Sequence, residues 1–219
     1  MIDWNAIESV FLDMDGTLLD LHYDNHFWLT HVPLRYAEKH GMPLHAAHLE
    51  LTTRYQAVAG TMQWYSVDYW SEQLDLDVAQ LKQEIDHLIA VHPHVADFLI
   101  KVRALGKRLT LVTNAHHKSL ALKIRKTKLD AHFDATICAH DLGIPKEHPN
   151  FWHALQRLEN YTPKHTLLID DSLPVLRAAR AYGIAHLRAI YRPDSKQPAK
   201  DVEEFHAIES FKDITPPST

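Results

Sequence analysis

The stretch "VFLDMDGTLLD", residues 10–20, begins as an apolar run and changes character within a few residues. Val10 to Asp13 are predicted to form a buried strand that ends in an acid, Asp13, and a second acid, Asp15, follows two residues later. Two carboxylates at the tip of a strand repel each other and lose hydration, so they need a partner of opposite charge. The stretch therefore predicts a functional site in which a cation offsets these acids.

The remaining pattern predicts an α/β protein with a helical insertion. Between residues 20 and 92 the apolar spacing predicts only helices, at 26–40, 44–59, 67–73 and 78–90. From residue 93 onward, helices at 94–105, 118–126, 150–158 and 173–182 alternate with strands at 108–113, 135–139, 166–170 and 186–190. Strands separated by helices predict a Rossmann-like parallel sheet flanked by helices. Residues 1–19 and 93–219 are predicted to form this core, and residues 20–92 an inserted all-helical cap.

Composition excludes several other classes of protein. A formal net charge of -5 argues against nucleic-acid binding, which usually needs a basic face. The single cysteine, Cys138, rules out an internal disulfide and fits a reducing compartment. No signal peptide and no apolar run of membrane-spanning length is visible, so we expect a cytoplasmic protein with no membrane partner. The 18 histidines are scattered, and we interpret most of them as surface or helix residues.

Polar residues collect at the carboxyl ends of the predicted strands, where open α/β sheets bind their ligands. They are Asp13 and Asp15 in "LDMD", Thr113 and Asn114 in "LVTN", Asp170 and Asp171 in "LIDD", and Lys146 in the loop "GIPKEHPN". Taken singly, a Thr-Asn pair can simply start a helix and a loop lysine can simply be solvated. Acid pairs after two separate buried strands indicate a hard divalent cation with oxygen ligands, such as Mg²⁺.

In order and position, "DMDGT", "TN", the loop lysine and "DD" resemble the four motifs of the haloacid dehalogenase-like hydrolases. The resemblance extends over essentially the whole chain, including a helical cap after the first motif. It implies a Mg²⁺-dependent phosphatase that hydrolyses phosphate monoesters through an aspartyl-phosphate. One departure concerns the third motif, where many relatives have Lys-Pro and this chain has "PKEHP", residues 145–149.

Each motif residue has a predicted role in that chemistry. Asp13 is the expected nucleophile, and Asp15 the expected acid that protonates the leaving oxygen and later accepts a proton from water. Lys146 neutralises Asp13 and the transferring group. The phosphate is expected to contact Gly16, Thr113, Asn114 and Lys146. The expected Mg²⁺ ligands are Asp13, the backbone carbonyl of Asp15, and Asp171 with Asp170 beside it.

The cap is expected to choose the substrate. "LLDLHYDNHFW" and "WYSVDYWSEQL" resemble cap stretches of the bacterial GMP/IMP nucleotidases of this superfamily, which implies a purine nucleoside monophosphate. Most cap aromatics are expected to form the cap's core, while a subset stacks on the base; Trp64, Tyr65 and Tyr69 are the candidates. The alternatives are a sugar-phosphate phosphatase, a phosphomutase with the same residues, or a catalytically idle phospho-ligand-binding protein. The last would be expected to lack one of the four motif side chains.

Overall fold

The computed structural model describes residues 2–217. Its strands are β1 (Ser9–Leu12), β2 (Arg108–Thr113), β3 (Ala135–Cys138), β4 (Thr166–Asp170), β5 (His186–Ile190) and β6 (Ala207–Ile208). All neighbours pair in parallel in the order β3-β2-β1-β4-β5-β6. The predicted Rossmann-like parallel sheet is therefore confirmed.

Helices fall into two groups along the chain. The first six are α1 (His22–His26), α2 (Val32–His40), α3 (Leu44–Val58), α4 (Met62–Tyr65), α5 (Val67–Leu74) and α6 (Val78–Glu84). The others are α7 (Val95–Ala104), α8 (His117–Thr127), α9 (Ala139–Leu142), α10 (Phe151–Leu158), α11 (Leu173–Tyr182) and α12 (Phe211–Ile214). Single turns of 3-10 helix lie at Trp4–Ala6, Asp86–Leu88, Leu129–His132 and Pro163–His165.

Strand β1 is the centre of the core because helices cover both faces of the sheet around it. Val10 and Leu12 point into one apolar cluster, to which α7 and α12 contribute, while Phe11 points into the other, beneath α10 and α11. This alternation follows from the two-residue period of a strand. Since β1 lies between β2 and β4, the chain connections diverge at its carboxyl end. That is where a doubly wound sheet leaves a crevice for a ligand.

The six cap helices pack on a third apolar cluster, which includes Phe27, Tyr55 and Trp70. Two chain segments join this inserted helical cap to the core, and they lie side by side. Asp20 N donates to Ala90 O at 2.9 Å, and His92 N donates to Leu18 O at 2.9 Å. The cap is therefore attached to the core beside the edge of the sheet that carries the acids.

Differences from the predicted elements are local. Strand β1 ends at Leu12, one residue before Asp13, although Asp13 N still donates to Ile169 O at 3.1 Å. The helix predicted at 26–40 begins earlier, at His22, and a π-helical turn, Phe27–His31, lies between α1 and α2. The helix predicted at 78–90 stops at Glu84, because Ile85 leaves helical backbone angles. Among the described residues, no helix has the length and apolar character needed to span a membrane.

Candidate active site

Asp13 lies at the carboxyl end of the sheet, where the crevice forms. Its side chain is buried, and its Oδ1 is 2.6 Å from Nζ of Lys146. Its other oxygen, Oδ2, is buried and has no hydrogen-bond partner among residues 2–217. Burial raises the pKa of Asp13 to about 6, even though Lys146 pulls in the opposite direction. A buried carboxylate oxygen without a partner is costly, so the site is built to receive something there.

Lys146 joins two of the motif acids. Its Nζ donates to Asp13 Oδ1, to Asp170 Oδ2 at 2.7 Å and to Val112 O at 3.1 Å. Burial alone would lower the pKa of Lys146, but the two carboxylates outweigh that effect and hold the pKa above its usual value. The lysine therefore keeps its positive charge.

The three acids Asp13, Asp170 and Asp171 each offer a carboxylate oxygen, and these oxygens all lie within 4.8 Å of one another. Both oxygens of Asp170 already accept hydrogen bonds, from Lys146 Nζ and from Ser172 N at 2.9 Å. Asp171 is less well compensated, since Nζ of Lys200 is 3.6 Å from its Oδ2. Burial, followed by the charges of Asp13 and Asp170, raises the pKa of Asp171 to about 7.

This donor set fits Mg²⁺. It consists of oxygens only, it carries more negative than positive charge, and Asp13 Oδ2 has no hydrogen-bond partner in the described part of the chain. Within it, Asp13 and Asp171 are the side chains with oxygens free for a cation, whereas Asp170 is engaged by hydrogen bonds. The side chain of Asp15 points elsewhere, so a metal contact from this residue would come from its backbone carbonyl.

Gly16 allows the first motif to pass closely against Asp171. Its φ is +86°, a region that L side chains rarely adopt. A Cβ at this position would lie 2.8 Å from Cγ and 2.9 Å from Oδ2 of Asp171. Only glycine fits without displacing that carboxylate, which explains the Asp-Gly sequence of the motif in physical terms.

Asp15 belongs to a second charged group, which bridges the core and the cap. Its Oδ1 is 2.6 Å from Nζ of Lys123, and the same Nζ is 2.6 Å from Oδ2 of Asp24 on the cap. Lys82 completes the group, with Nζ 3.1 Å from Asp24 Oδ1. Burial, then Asp24 and Asp13, raise the pKa of Asp15 to about 6 against the pull of Lys123. A carboxyl group that titrates near neutral pH suits acid–base catalysis.

The two lysines of this group, Lys82 and Lys123, were not predicted from the sequence. Their positions in α6 and α8 nevertheless indicate that they are buried. Lys123 follows Ser119 and Leu122 on the buried face of α8, at i, i+3 and i+4. Lys82 occupies the same kind of position in α6, after Val78 and Leu81. A lysine on the apolar face of an amphipathic helix indicates a buried acidic partner.

Thr113 and Asn114 come together with Lys146, as predicted from the strand ends. Thr113 Oγ1 accepts from Ala115 N at 3.0 Å. Asn114 Oδ1 accepts from the backbone N of Lys146 at 2.9 Å, and its Nδ2 donates to Glu147 Oε2 at 2.9 Å. The loops after β2 and β3 therefore hold each other in place beside Asp13.

A cavity of about 310 Å³ lies between the acids and the cap. Seven of the eight motif residues predicted for the site line it: Asp13, Asp15, Thr113, Asn114, Lys146, Asp170 and Asp171. The cap contributes the aromatic residues Trp28, Tyr55, Trp64, Tyr65 and Trp70. The volume lies at the lower end of the range of small-molecule sites, about 300–1,000 Å³.

The three cap residues proposed from the sequence occupy different places. Trp64 and Tyr65 line the cavity, and Tyr65 OH donates to Glu147 Oε1 at 2.8 Å. Tyr69 is not part of the cavity wall, since its ring packs on Trp70 with 5.1 Å between centroids. Trp28, the last residue of the stretch "LLDLHYDNHFW", also lines the cavity and is partly exposed.

Comparisons with known proteins agree with this geometry. A family model for haloacid dehalogenase-like hydrolases matches residues 7–183. The chain is 37% identical to the GMP/IMP nucleotidase YrfG of Escherichia coli, over 98% of this chain and 97% of that protein. It is 22% identical to a phosphorylated carbohydrates phosphatase of Thermotoga maritima, over 84% of this chain and 85% of that protein. A haloacid dehalogenase-like phosphatase structure from Thermococcus onnurineus matches with a TM-score of 0.78 and 22% identity, over 95% and 96% of the two chains.

The close approach of Gly16 to Asp171 generates a test. We expect Gly16→Ala to lower kcat/KM for p-nitrophenyl phosphate by about 100-fold, because the new methyl group displaces a carboxylate of the site. The matched control is Gly143→Ala, whose φ is +65° but whose Cβ would meet no atom within 4 Å. Gly143→Ala should lose about 1 kcal/mol of stability through backbone strain alone, and Gly16→Ala should lose more because of the added clash, both measured by urea unfolding. Equal loss of activity in the two variants would assign the effect to backbone strain instead.

Proposed function

Because the chain belongs to the haloacid dehalogenase-like hydrolases and is a phosphoric monoester hydrolase, we propose that it is a Mg²⁺-dependent purine 5'-nucleotidase acting through Asp13. The observation that carries this proposal is that Asp13, whose Oδ2 has no hydrogen-bond partner among residues 2–217, lines the same cavity as aromatic residues of the cap. The carboxylate would supply the nucleophile, and the aromatic residues would supply a surface for a base. Residues 20–92 would act as the lid that selects the substrate.

In the proposed reaction, a carboxylate oxygen of Asp13 attacks the phosphorus atom and the bond from phosphorus to the ester oxygen breaks. Asp15 gives its proton to the leaving oxygen, so a neutral nucleoside departs. Asp15 then takes a proton from a water molecule, which attacks the aspartyl-phosphate. This second step releases inorganic phosphate and restores Asp13, so that one displacement is divided into two easier ones.

Positive charge around the transferring group comes from two sources. Lys146 remains protonated and lies 2.6 Å from the attacking carboxylate. Phosphatases of this family generally use Mg²⁺, and Asp13, Asp171 and the Asp15 carbonyl would hold it here, where it would neutralise charge on the phosphoryl oxygens. Thr113 and Asn114 would orient those oxygens, and Gly16 lets the backbone approach them.

Purine specificity is supported by the cap. Trp28 and Trp64 line the cavity and are partly exposed, whereas Tyr55 and Trp70 beside them are buried. An exposed ring face can stack on a purine, an interaction worth about 1–3 kcal/mol. The relative named as a GMP/IMP nucleotidase matches along the whole chain, cap included.

The nucleophile is tested by Asp13→Asn. An amide oxygen is a poor nucleophile, so we expect kcat to fall by at least about 1,000-fold, a barrier increase of roughly 4 kcal/mol. Asp97→Asn, at an exposed position on α7, is the control and should keep full activity. Turnover by Asp13→Asn within about tenfold of the unchanged protein, about 1.4 kcal/mol, would contradict the assignment.

Metal dependence is tested by chelation. We expect activity to disappear in EDTA and to return with Mg²⁺ alone, because the cationic partners of the three clustered carboxylates within residues 2–217 are Lys146 and the more distant Lys200. Asp171→Asn should raise the Mg²⁺ concentration for half-maximal activity at least about tenfold, since it removes a charged oxygen ligand. Full activity in the chelator would show that the lysines suffice.

The substrate is tested with a panel of phosphate monoesters. We expect kcat/KM for GMP and IMP to exceed that for pyrimidine nucleotides, glucose 1-phosphate and phosphoglycolate. Trp64→Ala should lower the ratio of GMP to p-nitrophenyl phosphate activity by roughly 5- to 100-fold, as loss of stacking implies. Tyr69→Ala, an aromatic truncation outside the cavity, should leave that ratio unchanged. Faster turnover of a sugar phosphate than of any purine nucleotide would overturn the nucleotidase proposal and leave the phosphatase activity intact.

A further inference from the structure

A second group of metal-ligating side chains lies outside the active site. His117, Cys138 and Asp141 each offer one ligand atom, and the three atoms lie within 4.8 Å of one another. They come from separate elements: His117 begins α8, Cys138 ends β3 and Asp141 lies in α9. Nε2 of His117 is 3.1 Å from Oδ1 of Asp141. None of the three has a role in the proposed hydrolysis.

The donor types differ from those of the catalytic acids. Thiolate, imidazole and carboxylate together are a ligand set for zinc and similar first-row transition ions, whereas an all-oxygen set suits Mg²⁺. We propose that His117, Cys138 and Asp141 form a second, non-catalytic metal site for Zn²⁺ or a similar transition ion. The fourth coordination position is open to solvent, because His117 and Asp141 are exposed.

The lysine that follows His117 in sequence does not occupy this position. Lys118, the nearest lysine in sequence, is directed to the cap, where its Nζ is 2.5 Å from Asp68 Oδ1. Lys118 is thus already paired with Asp68, an acid that is not one of the three proposed ligands.

Binding has a defined chemical cost. Sγ of Cys138 donates to Ala115 O at 3.2 Å, and burial raises the pKa of this thiol. Coordination breaks the S–H bond, forms the bond from sulfur to metal and releases one proton to solvent per ion bound. The hydrogen bond that is lost is a weak one, because a thiol is a poor donor.

The location gives the site a structural consequence. His117 follows the loop that carries Asn114, and Asp141 precedes the loop that carries Lys146. A bound ion would therefore connect two of the loops that form the active site. A ligand that binds only the folded chain raises its melting temperature, by about 5 °C or more for a chain of this size at 100 times Kd.

The single cysteine makes the test specific. Reduced full-length protein in excess Mg²⁺, which occupies the oxygen site, is titrated with Co²⁺ while near-ultraviolet absorbance is recorded. We expect a band for thiolate-to-cobalt charge transfer, the release of one proton per Co²⁺ and loss of the band when Zn²⁺ is added. The catalytic acids cannot produce this band, because the chain contains one cysteine and it is not among them.

Variants separate a three-ligand site from a reactive thiol. His117→Asn and Asp141→Asn, at exposed positions, should each weaken Co²⁺ binding at least about tenfold. Cys138→Ser should remove both the band and the rise in melting temperature with Zn²⁺. His153→Gln, at an exposed position on α10, is the control and should bind as the unchanged protein does. Absence of the band up to millimolar Co²⁺, or a band unaffected by His117→Asn and Asp141→Asn, would overturn the proposal. None of these measurements uses phosphatase activity, so the result is independent of the proposed function.

Discussion

The structure of the site depends on a shortage of positive charge at one edge of the sheet. Parallel pairing of β1 with β4 brings Asp13, Asp170 and Asp171 to the same point, and Lys146 is the buried cation among them. Lys146 and the more distant Lys200 do not fully compensate two buried carboxylates and a partly buried one, because burial penalises each charge that lacks a partner. The proposed Mg²⁺ would offset this excess negative charge. It would also ease the approach of a phosphate group, which is itself an anion.

Two acids that are two residues apart, Asp13 and Asp15, enter different electrostatic groups. Asp13 belongs to the group in which negative charge exceeds positive charge. Asp15 belongs with Asp24 to a group that contains the buried cations Lys82 and Lys123. Two acids and two lysines balance formally, so this second group does not need a metal. Neighbouring carboxyl groups can take different catalytic roles when their electrostatic surroundings differ. Since Asp24 and Lys82 are on the cap, the surroundings of the proposed acid depend on the position of the cap.

The sequence predicted the sheet well, because its apolar runs are bounded by clear breakers. Strands β2, β4 and β5 and helix α11 have the predicted bounds, whereas β6, only two residues long, has no periodicity to detect. The motif residues were predictable from the strand ends. Contacts between cap and core were not, since periodicity does not show which face of α5 meets the cavity, and Tyr69 packs away from it. His117 and Asp141 do not stand at a sequence spacing typical of paired metal ligands. Parallel pairing of β2 with β3 brings them together in space.

The third motif shows how a departure from the family pattern can be explained by the contacts it permits. Glu147 stands where many relatives have proline, and its two oxygens accept hydrogen bonds from Asn114 Nδ2 and from Tyr65 OH. Proline has no side-chain acceptor, so it could make neither contact. Burial and Glu147 raise the pKa of Tyr65, which keeps its hydroxyl protonated as the donor. Through Glu147, the cap is thus joined to the amide that would orient the phosphate. In the proposed function Trp64 would meet the base, while Tyr65 acts as the link between cap and core.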